Sequence, residues 1–224
     1  MSHMRKETIL VVVAHSDDQI LGPGGTLAKY IEEGKRVKTI IFSYGEMSHP
    51  YFKPEVIAKM RVKEAEDADK ILGGDGVEFY GLPEGKFRTE FKKKNYSSKL
   101  KKAILDYKPI KIFTHANSES HPDHRAVHDL LLESYDDLHS KKLFTTDVYV
   151  FALYGIKLTI SKSPRLIIDI SKYFSKKTNA LRAFKSQHTI PLWWLWLKWA
   201  VYYKAFVSGL KLRVRFAEEF YKIR

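Results

Sequence analysis

Residues 9–14 read Ile-Leu-Val-Val-Val-Ala, an unbroken apolar run rich in β-branched side chains and too short for a core helix. A strand apolar on both faces must be covered on both faces, which is the situation of a parallel sheet between two helical layers. The run stops abruptly at His15-Ser16-Asp17-Asp18, and Gly22-Pro23-Gly24-Gly25 then leads into a helix predicted over 26–33. The same rhythm returns along the chain, with strands predicted at 37–44, 77–80, 110–114 and 148–153 and helices at 55–72, 97–106 and 125–138. Alternating strands and helices imply an α/β fold: a doubly wound, mostly parallel, Rossmann-like sheet flanked by helices. No repeat of fixed period and no low-complexity linker interrupts the pattern, so residues 5–224 are read as a single domain. Met1-Ser2-His3-Met4 is expected to be a cloning scar ahead of the true start, which removes His3 as a candidate ligand.

In doubly wound sheets the ligand sits beyond the carboxyl ends of the strands, where strand order reverses. The polar residues that follow the predicted strands are therefore the ones to examine: His15-Ser16-Asp17-Asp18, Glu46, Glu84 and His121-Pro122-Asp123-His124. The chain has no cysteine, which excludes disulfides, thiolate nucleophiles and Cys-type zinc sites and leaves His, Asp and Glu to hold any metal. Two imidazoles and one carboxylate converging from separate loops match the ligand types and count of a catalytic zinc with a position open for water. The remaining carboxylate and imidazole then have acid–base work available. Taken singly, Asp17 or Asp18 could be a helix N-cap and His124 could merely open a helix. Four such residues at two strand ends on one side of one sheet point to a metal site. His128, four residues after His124 on the same helix face, reads as support for the ligands; His115 could be a further ligand but reads first as support or packing.

Val13-Ala14-His15-Ser16-Asp17-Asp18-Gln19, with Gly24-Gly25, resembles the Ala-His-Pro-Asp-Asp-Glu signature of the LmbE-like, PIG-L-type zinc-dependent N-acetylglucosaminyl deacetylases. His121-Pro122-Asp123-His124-Arg125-Ala126-Val127-His128 is similar to their second signature. Lesser matches lie at Arg61-Val62-Lys63-Glu64-Ala65, Gly81-Leu82-Pro83-Glu84-Gly85, Lys177 through Gln187, and Ala217-Glu218-Glu219-Phe220, so the resemblance spans residues 9–220. It implies one Zn2+ per chain held by His15, Asp18 and His124, with Asp17 as general base. His121, protonated, would polarise the oxyanion or give a proton to the leaving amine, and Arg61 and Glu84 would contact the sugar. Asp123 is expected to hydrogen-bond one of its flanking histidines. The implied reaction is hydrolysis of the N-acetyl group of an N-acetylglucosamine-type sugar, free or lipid-linked. Four positions depart from the pattern: Ser16 for Pro, Gln19 for Glu, Glu84 for Asp and Phe184 for His.

Two other enzyme or binding readings compete. The Gly22–Gly25 turn fits neither the dinucleotide fingerprint nor the phosphate-binding P-loop, and a metal-dependent phosphoesterase with two metals needs more ligands than these signatures supply. A basic binding module without catalysis is suggested by charge: residues 172–224 carry 12 basic and 2 acidic side chains, and 86–102 is a second basic stretch relieved only by Glu90. Nothing resembles a nucleic-acid-reading motif, so no nucleic acid partner is expected. All four tryptophans lie between 193 and 199, within an aromatic segment at 191–210 followed by Lys211, Arg213 and Arg215. That segment is predicted to be helical, and its two readings are contact with a membrane headgroup layer or packing in a homo-oligomer. No signal peptide and no spanning segment are recognisable, and a cytoplasmic location, peripheral at the inner membrane surface if the helix docks, is expected.

Overall fold

The two faces of β1 (Thr8–Val13) enter two separate cores, which is why its sequence has no polar face. Ile9, Val11 and Val13 pack with α2 (Gly24–Glu32), α3 (Pro54–Leu72), α7 (Phe174–Leu181) and α9 (Pro191–Leu212). Leu10, Val12 and Ala14 pack with α4 (Phe87–Lys93), α5 (Tyr96–Tyr107) and α6 (Pro122–Ser140). This computed structural model describes residues 6–49, 51–153, 163–188 and 191–224, with side chains of α9 from Trp194 on; the scar expected at 1–4 lies outside the described residues.

The sheet has the order β3-β2-β1-β4-β5-β7-β6. Its further strands are β2 (Arg36–Ile41), β3 (Val77–Phe79), β4 (Lys111–His115), β5 (Asp147–Phe151), β6 (Arg165–Asp169) and β7 (Ala217–Lys222). The first five are mutually parallel, while β7 runs antiparallel between β5 and β6. Strand order reverses at β1, which pairs with β2 on one side and β4 on the other, for example Val13 with Ile41 and Leu10 with Ile112. The crevice at the carboxyl ends of β1 and β4 is thus the switch point of a doubly wound fold.

Among the described residues, four helices are not apparent in the strand–helix rhythm: α7 and α8 (Lys185–His188), and two that bear on the site and on the charge pattern. The short α1 (Asp18–Leu21) follows β1 directly, and its last turn is held by Lys177, whose ammonium donates to the carbonyls of Leu21 and Gly22 at 2.9 and 2.8 Å. The same ammonium meets Glu218 at 2.6 Å, and that carboxylate accepts from the backbone N–H groups of Gly25 and Thr26. Glu218 therefore occupies the N-terminus of α2, where the helix dipole favours an anion. A side chain at Gly25 would strike Ile170 at 2.7 Å, so the glycines of this turn serve close packing, and its amides are already taken by a carboxylate.

The second is α4, inside the basic stretch 86–102. Phe87 and Phe91, four apart, are buried, and Tyr96 donates its hydroxyl to the carbonyl of Tyr80. The lysines and arginine face acids: Arg88 meets Asp129 and Lys92 meets Glu133 of α6, Lys101 meets Asp137, and Lys99 meets Glu78. The basic stretch is thus a helix layer whose positive face is matched in large part by the acidic face of its neighbour.

Candidate metal centre and active site

Chain reversal after β1 is fixed by Asp18. Its Oδ2 accepts from the backbone N–H of His15 at 2.8 Å, which aims its Oδ1 at the second loop. There the imidazole Nε2 of His124 lies 3.5 Å from Oδ1, while His15 Nδ1 and His115 Nε2 lie 3.4 and 3.2 Å from Oδ2. Asp17 stands at the N-cap of α1 but makes no side-chain cap, so the N-cap reading does not use its carboxylate. That group faces Arg61 of α3, with Nη2 3.2 Å from Oδ2.

The second loop follows β4, and Pro122 at the first turn of α6 suits a position whose N–H would be unsatisfied anyway. His121 is the N-cap, and its Nδ1 accepts from the backbone N–H of Asp123 at 3.2 Å. A neutral His121 must therefore carry its proton on Nε2. Burial, then the charge on His15, lower its affinity for a second proton.

Two donor sets share His124: His15 with His121 and His124, and Asp18 with His115 and His124, each with ligand atoms within 4.8 Å of one another. The expected triad takes His15 from one set and Asp18 from the other. Three imidazoles around one buried carboxylate, with His121 against two of them, suit a cation. His115 and His124 stack at 3.9 Å between ring centroids, and His115 Nε2 already accepts from the N–H of Ala14. Burial, then His124, push His115 down to about 4. Burial opposes charge on His15, yet Asp123 and Asp18 at its two nitrogens lift it to about 10. Asp18 is held well below the usual carboxylate range, because the surrounding His124, His115 and His15 outweigh its burial. These donors fit a borderline divalent cation of the zinc type.

Supporting contacts differ from expectation in one respect. The carboxylate of Asp123 accepts from the N–H of Gly85 at 3.0 and 3.1 Å, and its Oδ2 is 3.5 Å from His15 Nε2; its side chain meets His15, and only its backbone N–H meets a flanking histidine, His121. Successive helix residues diverge by about 100°, so Asp123 points to the first loop while His121 and His124 share another face. His128 bonds through Nδ1 to the carbonyl of His115 at 2.8 Å, fixing the end of β4. Of two further contributors, His115 is open from sequence as a ligand but set below support or packing, and Glu119 is not singled out. His115 enters a donor set, and Glu119, buried in the β4–α6 loop, lies with Oε2 3.8 Å from His124 Nδ1 and accepts from the N–H of Leu153. The signal for Glu119 was a lone acid two residues before the second signature.

A cleft of about 520 Å³ opens over these groups, lined among others by Asp17, Arg61, Glu84, His121 and Leu197. That volume suits a monosaccharide-sized ligand. Arg61 is only 2% exposed, its Nε and Nη1 have no hydrogen-bond partner among the described residues, and its guanidinium lies 5.6 Å from the ring of Phe184. Phe184, one of the four departures, thus packs beside the arginine. Glu84 lies near Ser43 Oγ at 3.5 Å, and burial, with Glu46 and Asp123, raises its pKa.

The pattern of the PIG-L family, described as GlcNAc-PI de-N-acetylase, matches residues 10–135. The chain is 24% identical to the probable N-acetyl-alpha-D-glucosaminyl L-malate deacetylase 2 of Bacillus cereus, covering 80% of this chain and 83% of that protein. Among solved structures, N,N'-diacetylchitobiose deacetylase from Pyrococcus horikoshii superposes with a TM-score of 0.79 at 23% identity, over 97% of this chain and 84% of the other. GalB, the 4-carboxy-2-hydroxymuconate hydratase from Pseudomonas putida KT2440, superposes with a TM-score of 0.82 at 20% identity, over 97% and 96%. A hydratase and a deacetylase share this architecture, so the fold alone does not choose a reaction. The sequence pattern does choose a lineage, since it covers more than half of the chain and contains both loops that meet at Asp18: the chain belongs to the PIG-L, LmbE-like deacetylase family.

Proposed function

We propose that the protein hydrolyses the N-acetyl group of an N-acetylglucosamine-type sugar, with one Zn2+ held by His15, Asp18 and His124. The observation that carries this reading is the meeting of an acid–base carboxylate, Asp17, with a cluster of donors around Asp18 at one switch-point cleft. Support comes from relatives named as deacetylases of acetylated glucosamine derivatives. When bound, zinc supplies a Lewis acid and brings water within reach of deprotonation near neutral pH. Residues 5–224 act as one catalytic domain.

Asp17 takes the proton of the attacking water, and Arg61 holds that carboxylate in place from 3.2 Å away. His121 donates its Nε2–H to the carbonyl oxygen as that atom gains charge. Asp17 then returns the proton to the nitrogen, the C–N bond breaks, and acetate and the free amine leave. Arg61, with two unsatisfied donors, and Glu84, whose raised pKa favours sharing a proton with a hydroxyl, bind the sugar. The test is acetate and amine release from a panel of N-acetylated glucosamine derivatives by zinc-loaded protein. Turnover of at least one supports the reading; an inert protein that instead hydrolyses phosphate esters would replace it with the phosphoesterase alternative.

A further inference from the structure

Helix α9 is apolar on both of its faces. Trp194, Leu197, Val201 and Ala205 form the buried stripe that packs on the domain, and Leu197 reaches the rim of the catalytic cleft. The opposite side carries Leu195, Trp199, Tyr202, Phe206 and Leu210, flanked by Trp196 and Tyr203; Trp199 is 65% exposed and Trp196 51%. An amphipathic surface helix would show charge there. Among the described residues, no helix is long and apolar enough to cross a membrane, so this face belongs at an interface and not inside a span.

Charge around the face selects its occupant. The helix contains no acidic residue. Lys198 and Lys185 both bear on His188 at its beginning, and Lys211, Arg213 and Arg215 are exposed around its end. Of the two acids after residue 171, Glu218 is buried against Lys177 and Glu219 is engaged by Lys211 and Arg165. A two-fold pairing of this face with a second copy would set these cations against their own equivalents. An anionic bilayer answers both the aromatic and the cationic features, because Trp and Tyr settle at headgroup level and Lys and Arg are drawn to negatively charged lipid. We infer that the exposed face of α9 docks the protein peripherally on an anionic membrane surface, with the mouth of the catalytic cleft beside the bilayer.

The full chain is sedimented with phosphatidylcholine vesicles, with and without phosphatidylglycerol, at low and high salt, while tryptophan emission is recorded. Expected are pelleting and a blue shift that need phosphatidylglycerol and fade at high salt. Trp196→Ala/Trp199→Ala should abolish the blue shift and pelleting, and Arg213→Glu/Arg215→Glu should weaken binding by roughly tenfold or more. Both variants alter exposed positions, and circular dichroism checks that each retains the fold. Failure to bind either vesicle, or binding that ignores lipid charge and salt, overturns the inference. So does a stable oligomer that Trp196→Ala/Trp199→Ala dissociates, which would make a second copy the occupant.

Discussion

Asp17 and Asp18 are neighbours in sequence with opposite surroundings: Asp18 is enclosed by imidazoles, whereas Asp17 faces one guanidinium at the cleft. Asp17→Asn should therefore keep the metal and lose about 10²–10⁴-fold in kcat, since an amide cannot accept the water's proton; near-normal kcat with stoichiometric zinc would remove Asp17 from the mechanism. His124 belongs to both donor sets, so His124→Ala should abolish stoichiometric zinc, while His121→Ala should lower kcat with modest effect on metal content. Loss of zinc in His121→Ala would exchange the two roles. Glu119 sits behind His124, and Glu119→Gln should weaken zinc binding by about 10–100-fold while keeping the acceptor for Leu153, as measured by competition with a chelator. The chemistry-bearing residues of the two signatures were legible because a strand end confines them to a few positions. His115 was legible only as one alternative and Glu119 not at all, because a strand's last residue and a loop acid acquire meaning only when a second loop is folded against them. The partner of Asp123 was misjudged for the same reason: adjacency in sequence is not adjacency around a helix.

Secondary-structure elements were legible where both faces are buried. β1 is an unbroken apolar run and β2, β4 and β5 carry shorter ones, whereas Arg165–Asp169 and Ala217–Lys222 mix charge with apolar residues where the β7–β6 pair closes one edge of the sheet; β3, Val-Glu-Phe at the other edge, was legible without being fully buried. α4 was hidden by its own lysines, which only the acidic face of α6 explains. β7 nevertheless delivers Glu218 to the start of α2, where it meets Lys177 and joins α1, α2 and α7 below the metal loop. Lys177→Met should cost about 3–5 kcal/mol in denaturant unfolding, because it leaves a buried carboxylate without its cation. Lys177→Met/Glu218→Gln should recover part of that loss. If the double variant is no more stable than the single one, the ion pair is not what joins these elements.

At the scale of the whole molecule, ion pairs on the surface tie β7 and Arg224 to β5 and α6. Arg224 holds Asp136 below the ordinary carboxylate range, and Lys222 does the same to Asp147. Folded-state carboxyls with depressed pKa add stability above the unfolded value near 3.8, and that stability is lost as pH falls through the folded value. Thermal stability should thus hold from neutral pH to about 5 and decline below about 4, and Arg224→Ala should flatten that decline slightly, by less than about 1 kcal/mol for so exposed a pair. An acid limb unchanged by Arg224→Ala would assign it to other carboxyls. The fold and family place the cleft, but the reaction rests on the metal and on Asp17. The direct measurement is acetate release from an N-acetylated glucosamine derivative while metal-stripped protein is titrated with zinc. Activity should rise linearly and level off at one equivalent per chain; full activity in the stripped protein, or a requirement for two equivalents, would contradict the mononuclear site.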